Sequence, residues 1–121
     1  MYADTDFIIA LIKEEDWLTE AAETVYRQNK EDIWTSNYTM LEVFLISYRE
    51  DWNTLEVLAN VENLIEIDEN IDDLLTAARK VEQKEITPFD AIPLTKAGED
   101  KIISSDQKID KHTERLKLEE Q

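Results

Sequence analysis

No cysteine occurs anywhere in the 121 residues, which removes disulfides, thiolate zinc sites and a cysteine nucleophile together and fits an intracellular setting. With Gly98 as the only glycine, there is no material for a glycine-rich phosphate loop, so P-loop and dinucleotide-binding folds are excluded. The one histidine, His112, lies in a polar stretch beside Lys111 and Glu114. It has no visible partner or pocket for acid–base work and is expected at the surface. Apolar runs are short. Residues 7–12 are the longest near the start, preceded by Asp4 and Asp6 rather than by the basic start of a secretory signal. They also fall far below the roughly 20 residues needed to cross a bilayer. A soluble, cytoplasmic protein without membrane contact is the expectation.

Positive charge is scarce as well. Thirteen lysines and arginines face 29 acids, for a net charge of −16. Such a coat repels nucleic acid unless salt or metal intervenes. A salt-rich cytoplasm is one source of it and an ordinary acidic surface another; nine lysines to four arginines do not decide. The cations nearest the motifs below, Lys13, Lys96, Lys108 and Lys111, are scattered and read as solvated surface charge, so no basic patch announces a substrate.

What the chain does have is a hydrophobic fraction of 42%, enough for a folded core, and a length that suits a single domain over residues 1–121. Helix and strand patterns alternate. Strands are expected at residues 1–4, 33–36, 64–67, 101–104 and 116–118, where β-branched and aromatic residues cluster. Helices are expected at 7–13, behind Asp16 as N-cap with Trp17, Leu18, Ala21, Ala22, Val25 and Tyr26, at 38–48 on a Leu41/Phe44/Leu45/Tyr48 stripe, at 54–62, on Ile71, Leu74, Leu75, Ala78 and Val81, and at 89–97. Trp17 and Trp34 are expected in the core. The alternation implies an α/β fold, a mostly parallel sheet covered by helices on both faces. Sites in such folds lie at the carboxyl ends of the strands.

Four segments place a carboxylate against that apolar pattern: Tyr2-Ala3-Asp4-Thr5-Asp6-Phe7, Met40-Leu41-Glu42-Val43-Phe44, Thr87-Pro88-Phe89-Asp90-Ala91-Ile92 and Ile102-Ile103-Ser104-Ser105-Asp106. Each acid has a modest local explanation. Asp4 and Asp6 suit helix caps, Glu42 the edge of a half-buried helix, Asp90 the dipole at a helix start, and Asp106 a turn. Yet all adjoin apolar elements at the same expected sheet edge. A pocket that binds a divalent cation explains them in one step, because carboxylate oxygens are the ligands Mg²⁺ and Mn²⁺ prefer. Without a cation, two carboxylates 4 Å apart repel by about 4 kcal/mol at an effective dielectric of 20, so one of them would hold a proton. Such a pocket suits phosphodiester hydrolysis.

The order and spacing of Asp4-Thr5-Asp6, Glu42 inside an apolar helix, Phe89-Asp90-Ala91-Ile92 and Ser104-Ser105-Asp106 resemble the PIN-domain nucleases over essentially the whole chain. The resemblance implies an α/β/α sandwich and a Mg²⁺- or Mn²⁺-dependent endoribonuclease acting on single-stranded RNA. By motif match, Asp4, Glu42, Asp90 and Asp106 are the catalytic acids and metal ligands, with Asp6 as a further ligand. Thr5 and Asp6 support the first acid, and Asp110 falls where some members carry an extra one. Stand-alone members of this size resemble the toxin halves of toxin–antitoxin pairs, which implies a homodimer and a small inhibitory partner protein. No apolar patch on the expected helix surfaces argues for the dimer independently. Pro93 departs from the family pattern and is expected to kink its helix. Two other readings compete. A non-catalytic PIN-like interaction module would lack one or more of the four acids, and a phosphotransfer receiver would need a lysine at a late strand end.

Overall fold

Along the first strand, consecutive side chains point to opposite sides, as a pleated strand requires. The rest of the molecule is built around that division. Tyr2 is buried on one side with Ile102, Leu94, Ala97 and Ile109, and Ala3 on the other with Ile103, Phe7, Ile8, Val25, Val43, Val61 and Leu118. The computed structural model describes residues 1–13, 16–69 and 87–121 together with Val81 and Gln83. The helix expected on Ile71, Leu74, Leu75 and Ala78 lies outside the described residues.

Five short strands, β1 (Tyr2–Ala3), β2 (Trp34–Ser36), β3 (Glu66–Asp68), β4 (Ile102–Ser104) and β5 (Arg115–Lys117), form one sheet in the order β3-β2-β1-β4-β5, and every pairing is parallel. In register, Tyr2 stands between Trp34 and Ile102, and Ala3 beside Ile103. Among the described residues the helices bounded at both ends are α1 (Thr5–Ile12), α2 (Thr19–Asn29), α3 (Asn37–Arg49), α4 (Thr54–Leu64) and α5 (Pro88–Ala97), with 3₁₀ turns at Gln107–Lys111 and Leu118–Glu120. Among the described residues no helix is long and apolar enough to cross a membrane.

Local chemistry sets the element ends. Ser36 caps α3 through the Thr39 N–H, and Asn53 caps α4 through the Glu56 N–H at 3.0 Å. Between them Asp51 takes the left-handed conformation at φ 61°, while the Asp51 and Trp52 N–H groups close back on Tyr48 and Ser47. That is the Schellman closure, with aspartate where glycine is usual. Gly98 ends α5 at φ 61°, the one place where the single glycine is needed.

Several expectations shift. Asp16 accepts the Leu18 N–H at 2.8 Å in a turn, and α2 begins three residues later at Thr19. Trp17 is therefore outside the helical stripe and 77% exposed, not in the core. Trp34 is partly buried, edge-on to Tyr2 with its indole N–H on Asp100. The inward face of α3 is Thr39, Val43 and Ser47, and the Leu41/Phe44/Leu45/Tyr48 stripe faces out. The helix lies close to the sheet, where the Tyr2 hydroxyl bonds both Ser36 and Thr39 at 2.7 Å, and only small side chains fit there. Helix α5 runs through Pro93 without ending, at the loss of one backbone donor.

Candidate metal centre at the carboxyl edge of the sheet

Strands β1 and β4 are neighbours in space although the connections leaving them run to opposite sides of the sheet. A crevice opens at such a switch point, beyond the strand carboxyl ends. Asp4 follows β1 directly, and Ser104-Ser105-Asp106 closes β4. Glu42 comes in on the second turn of α3 and Asp90 on the first turn of α5. Asp4, Asp6, Glu42, Asp90 and Asp106 all line one cavity of about 370 Å³, and each is partly buried. A larger hollow of about 770 Å³ beside Met1, Asp32, Trp34 and Asp100 contains none of them.

The acids are held in different ways. Asp4 Oδ1 accepts the Thr5 N–H at 2.8 Å, and its Oδ2 lies 3.1 Å from the Ser104 hydroxyl. Asp6 Oδ2 accepts the Ser105 N–H at 2.6 Å and also the Ser105 hydroxyl, with Ser104 Oγ at 3.3 Å. Ser104 Oγ in turn accepts the Asp106 N–H at 3.0 Å. The two serines thus tie the end of β4 to the start of α1. Thr5 supports two acids: its N–H donates to Asp4 and its hydroxyl to Glu42 Oε2. Asp90 Oδ2 accepts the Thr87 hydroxyl at 2.9 Å, and Asp106 Oδ1 caps the following 3₁₀ turn through the Lys108 N–H at 3.0 Å.

Burial and crowding act together on the first acid. Burial pushes the Asp4 carboxyl up to about 7; the charge of Asp6 adds to this and that of Glu42 adds less, against the lowering bonds from Thr5 and Ser104. Asp6 Oδ1 is buried with no hydrogen-bond partner, a costly state for a carboxylate oxygen. A carboxyl raised this far and an orphaned carboxylate oxygen are the marks of a site lacking positive charge. The five acids therefore fit a hard divalent cation held by carboxylate oxygens and water. Among the described residues no three acids stand close enough to enclose an ion directly, so water would complete the shell.

Other features are not visible in the linear pattern. Asp16 and Trp17 also line the cavity, as do Ile9, Ile46, Pro93 and Ile109. Arg115, its side chain 1% exposed, forks onto both Asp110 oxygens at 2.9 and 3.0 Å, and donates to Glu119 at 2.8 Å and to the Ser104 carbonyl at 2.6 Å. Those bonds hold the Asp110 carboxyl below its ordinary range. Asp110 is thus Arg115's partner and is absent from the cavity wall. Lys96 is not solvated: it is buried 3.1 Å from Asp68, with the Tyr38 ring 5.8 Å away. Lys13 lies over the Trp52 ring at 4.4 Å.

A family model described as PIN domain matches residues 1–114. Among curated proteins none matches the chain.

Proposed function

The chain belongs to the PIN-domain family, a nuclease-type fold, and from that footing we propose that it is a Mg²⁺- or Mn²⁺-dependent endoribonuclease that hydrolyses single-stranded RNA as a toxin-like or RNA-processing member. The observation that carries the reading is the convergence of Asp4, Asp6, Glu42, Asp90 and Asp106 on one partly buried cavity. A structural role for these acids leaves the raised Asp4 pKa and the orphaned Asp6 oxygen as unrelieved costs. A role as ligands relieves both.

In this reading Asp4, Glu42, Asp90 and Asp106 would hold the ion, partly through water, and position the attacking water, with Asp6 as a further ligand. The bound ion supplies Lewis acidity: a more acidic water, and charge stabilisation on the attacking and leaving oxygens. The chain's own residues do the rest. Asp4 would favour its ionised form once a bound cation offset the negative charges of Asp6 and Glu42 around it. Ser105 fixes the Asp6 carboxylate with its Oδ1 left open, and the Thr5 hydroxyl holds Glu42 in one orientation. Ile9, Ile46 and Ile109 supply apolar wall beside the acids, where charge interactions are stronger than in open water.

The homodimer that the family resemblance implies has an available surface in the outward row of Leu41, Phe44, Leu45 and Tyr48, with Leu55 on α4 also exposed. Exposed apolar rows of this kind mark association sites. An antitoxin-like partner belongs to the same proposal.

Mn²⁺ titration by calorimetry tests the metal site without a known substrate. The wild type binds Mn²⁺, and Asp106→Asn weakens that binding on the order of tenfold or more and abolishes RNA cleavage. A wild type that binds no Mn²⁺ would remove the enzymatic reading.

A further inference from the structure

Beside the acidic cavity lies a second, smaller hollow of about 230 Å³, walled by Lys108, Lys111 and His112. The two hollows share Asp90 and Ile109 as walls. We propose that this smaller hollow is a subsite for a backbone phosphate of the single-stranded RNA whose cleavage is proposed above, next to the phosphate that is cut. The inference rests on that reading of the acidic cavity.

The geometry begins with the 3₁₀ turn Gln107–Lys111. Three residues per turn bring side chains three apart into line, so Lys108 and Lys111 stand one above the other. The same spacing pairs Ile109, which is buried, with His112, which is exposed. The turn is anchored by Asp106, whose Oδ1 accepts the Lys108 N–H. One short element thus carries a candidate metal ligand at its start and two lysines along one row. A strand whose scissile phosphate lay at Asp106 would pass from one hollow to the other across their shared walls, Asp90 and Ile109.

Charge points the same way. The chain carries −16 overall, yet this hollow has two lysines facing a single carboxylate, Asp90. Asp90 is already engaged by the Thr87 hydroxyl, and it is one of the acids a bound cation would neutralise. Asp110, between the two lysines in sequence, gives both its oxygens to the Arg115 fork and is not among the walls of the hollow. Glu114 is drawn to Lys101 at 3.3 Å. An acidic protein that cleaves a polyanion needs local positive potential where the strand enters or leaves, and the surroundings of this hollow preserve it.

The test is steady-state cleavage of single-stranded RNA in Mn²⁺ across a KCl series. The double variant Lys108→Gln/Lys111→Gln is compared with Arg27→Gln/Lys30→Gln, which removes the same charge at the far end of α2. The inference expects KM to rise on the order of tenfold in the first variant, with a much smaller change in kcat. The slope of log(kcat/KM) against log[KCl] should become shallower by about 0.7, the value for one phosphate that the protein no longer neutralises. Shortening the substrate from each end should abolish the difference from wild type once the phosphate held in this hollow is removed. If the first variant matches the control in KM and salt slope while the wild type cleaves RNA, this inference alone is overturned. If the wild type cleaves no RNA, the endoribonuclease reading falls and the subsite falls with it.

Discussion

Replacing Asp4 by asparagine should make the metal-free protein more stable, and increasingly so as pH rises. The folded chain keeps the Asp4 proton to about pH 7, while an unstructured aspartate releases it near 3.8. Between those values only the folded state is protonated, so raising the pH favours unfolding. The stability lost over the whole interval is a little over three pH units at 1.36 kcal/mol each, about 4 kcal/mol as an upper figure. Asparagine is uncharged throughout and fits the same bonds. Its Oδ1 can accept the Thr5 N–H, and its amide can donate to Ser104 Oγ, freeing the Ser104 hydroxyl for Asp6.

The assay is urea unfolding in EDTA at half-unit steps from pH 5.5 to 8.5, comparing variant with wild type so that the other acids cancel. The stability gap should widen by about 2 kcal/mol from pH 5.5 to 7 and then level off. Saturating Mn²⁺ should narrow or reverse the gap, because the wild type gains about 2.7 kcal/mol at 100 times its dissociation constant and the variant, short of a ligand, gains less. A gap independent of pH would refute the reasoning, since it would mean that Asp4 does not carry the proton and that the cluster is not electrostatically crowded.

Two further predictions concern residues outside the cluster. Arg115→Met removes the fork onto Asp110 and the bond to Glu119, and it leaves the Ser104 carbonyl without its guanidinium donor; the expected cost is about 3 kcal/mol. Urea unfolding checks it, and a cost below about 0.5 kcal/mol would show that Arg115 does not anchor β4. Trp17→Ala should change stability by less than about 0.5 kcal/mol because Trp17 is exposed, whereas Trp34→Ala should cost about 3 kcal/mol as its packing on Tyr2 disappears. Thermal or urea unfolding of the pair decides it, and the opposite order would contradict the placement of both rings.

The alternating elements can be read from the sequence because short apolar runs alternate with helical patterns, and the acids because each adjoins such a stretch, Asp4 and Asp106 after β1 and β4, Glu42 and Asp90 within α3 and α5. Side-chain period identifies an element, but it does not say which face of a helix turns inward. In α3 the bulky stripe has the spacing of a core face, yet the buried face is the smaller row of Thr39, Val43 and Ser47, with Thr39 bonding the Tyr2 hydroxyl. Trp17 misleads for a related reason: helical spacing extends the pattern backward through residues that form a turn at Asp16. Strand order lies a level further from the sequence. Nothing in the local pattern says that β4 pairs with β1, yet that pairing brings Asp106 to Asp4 and lets Ser105 hold Asp6 across 99 positions of chain. The candidate ligands are thus legible one by one, while the bonds that hold them depend on the topology. Arg115 is the extreme case. Its pattern position marks only the edge of a late strand, and its role follows from β5 lying beside β4, where the guanidinium meets the Ser104 carbonyl and takes Asp110 out of the acidic count.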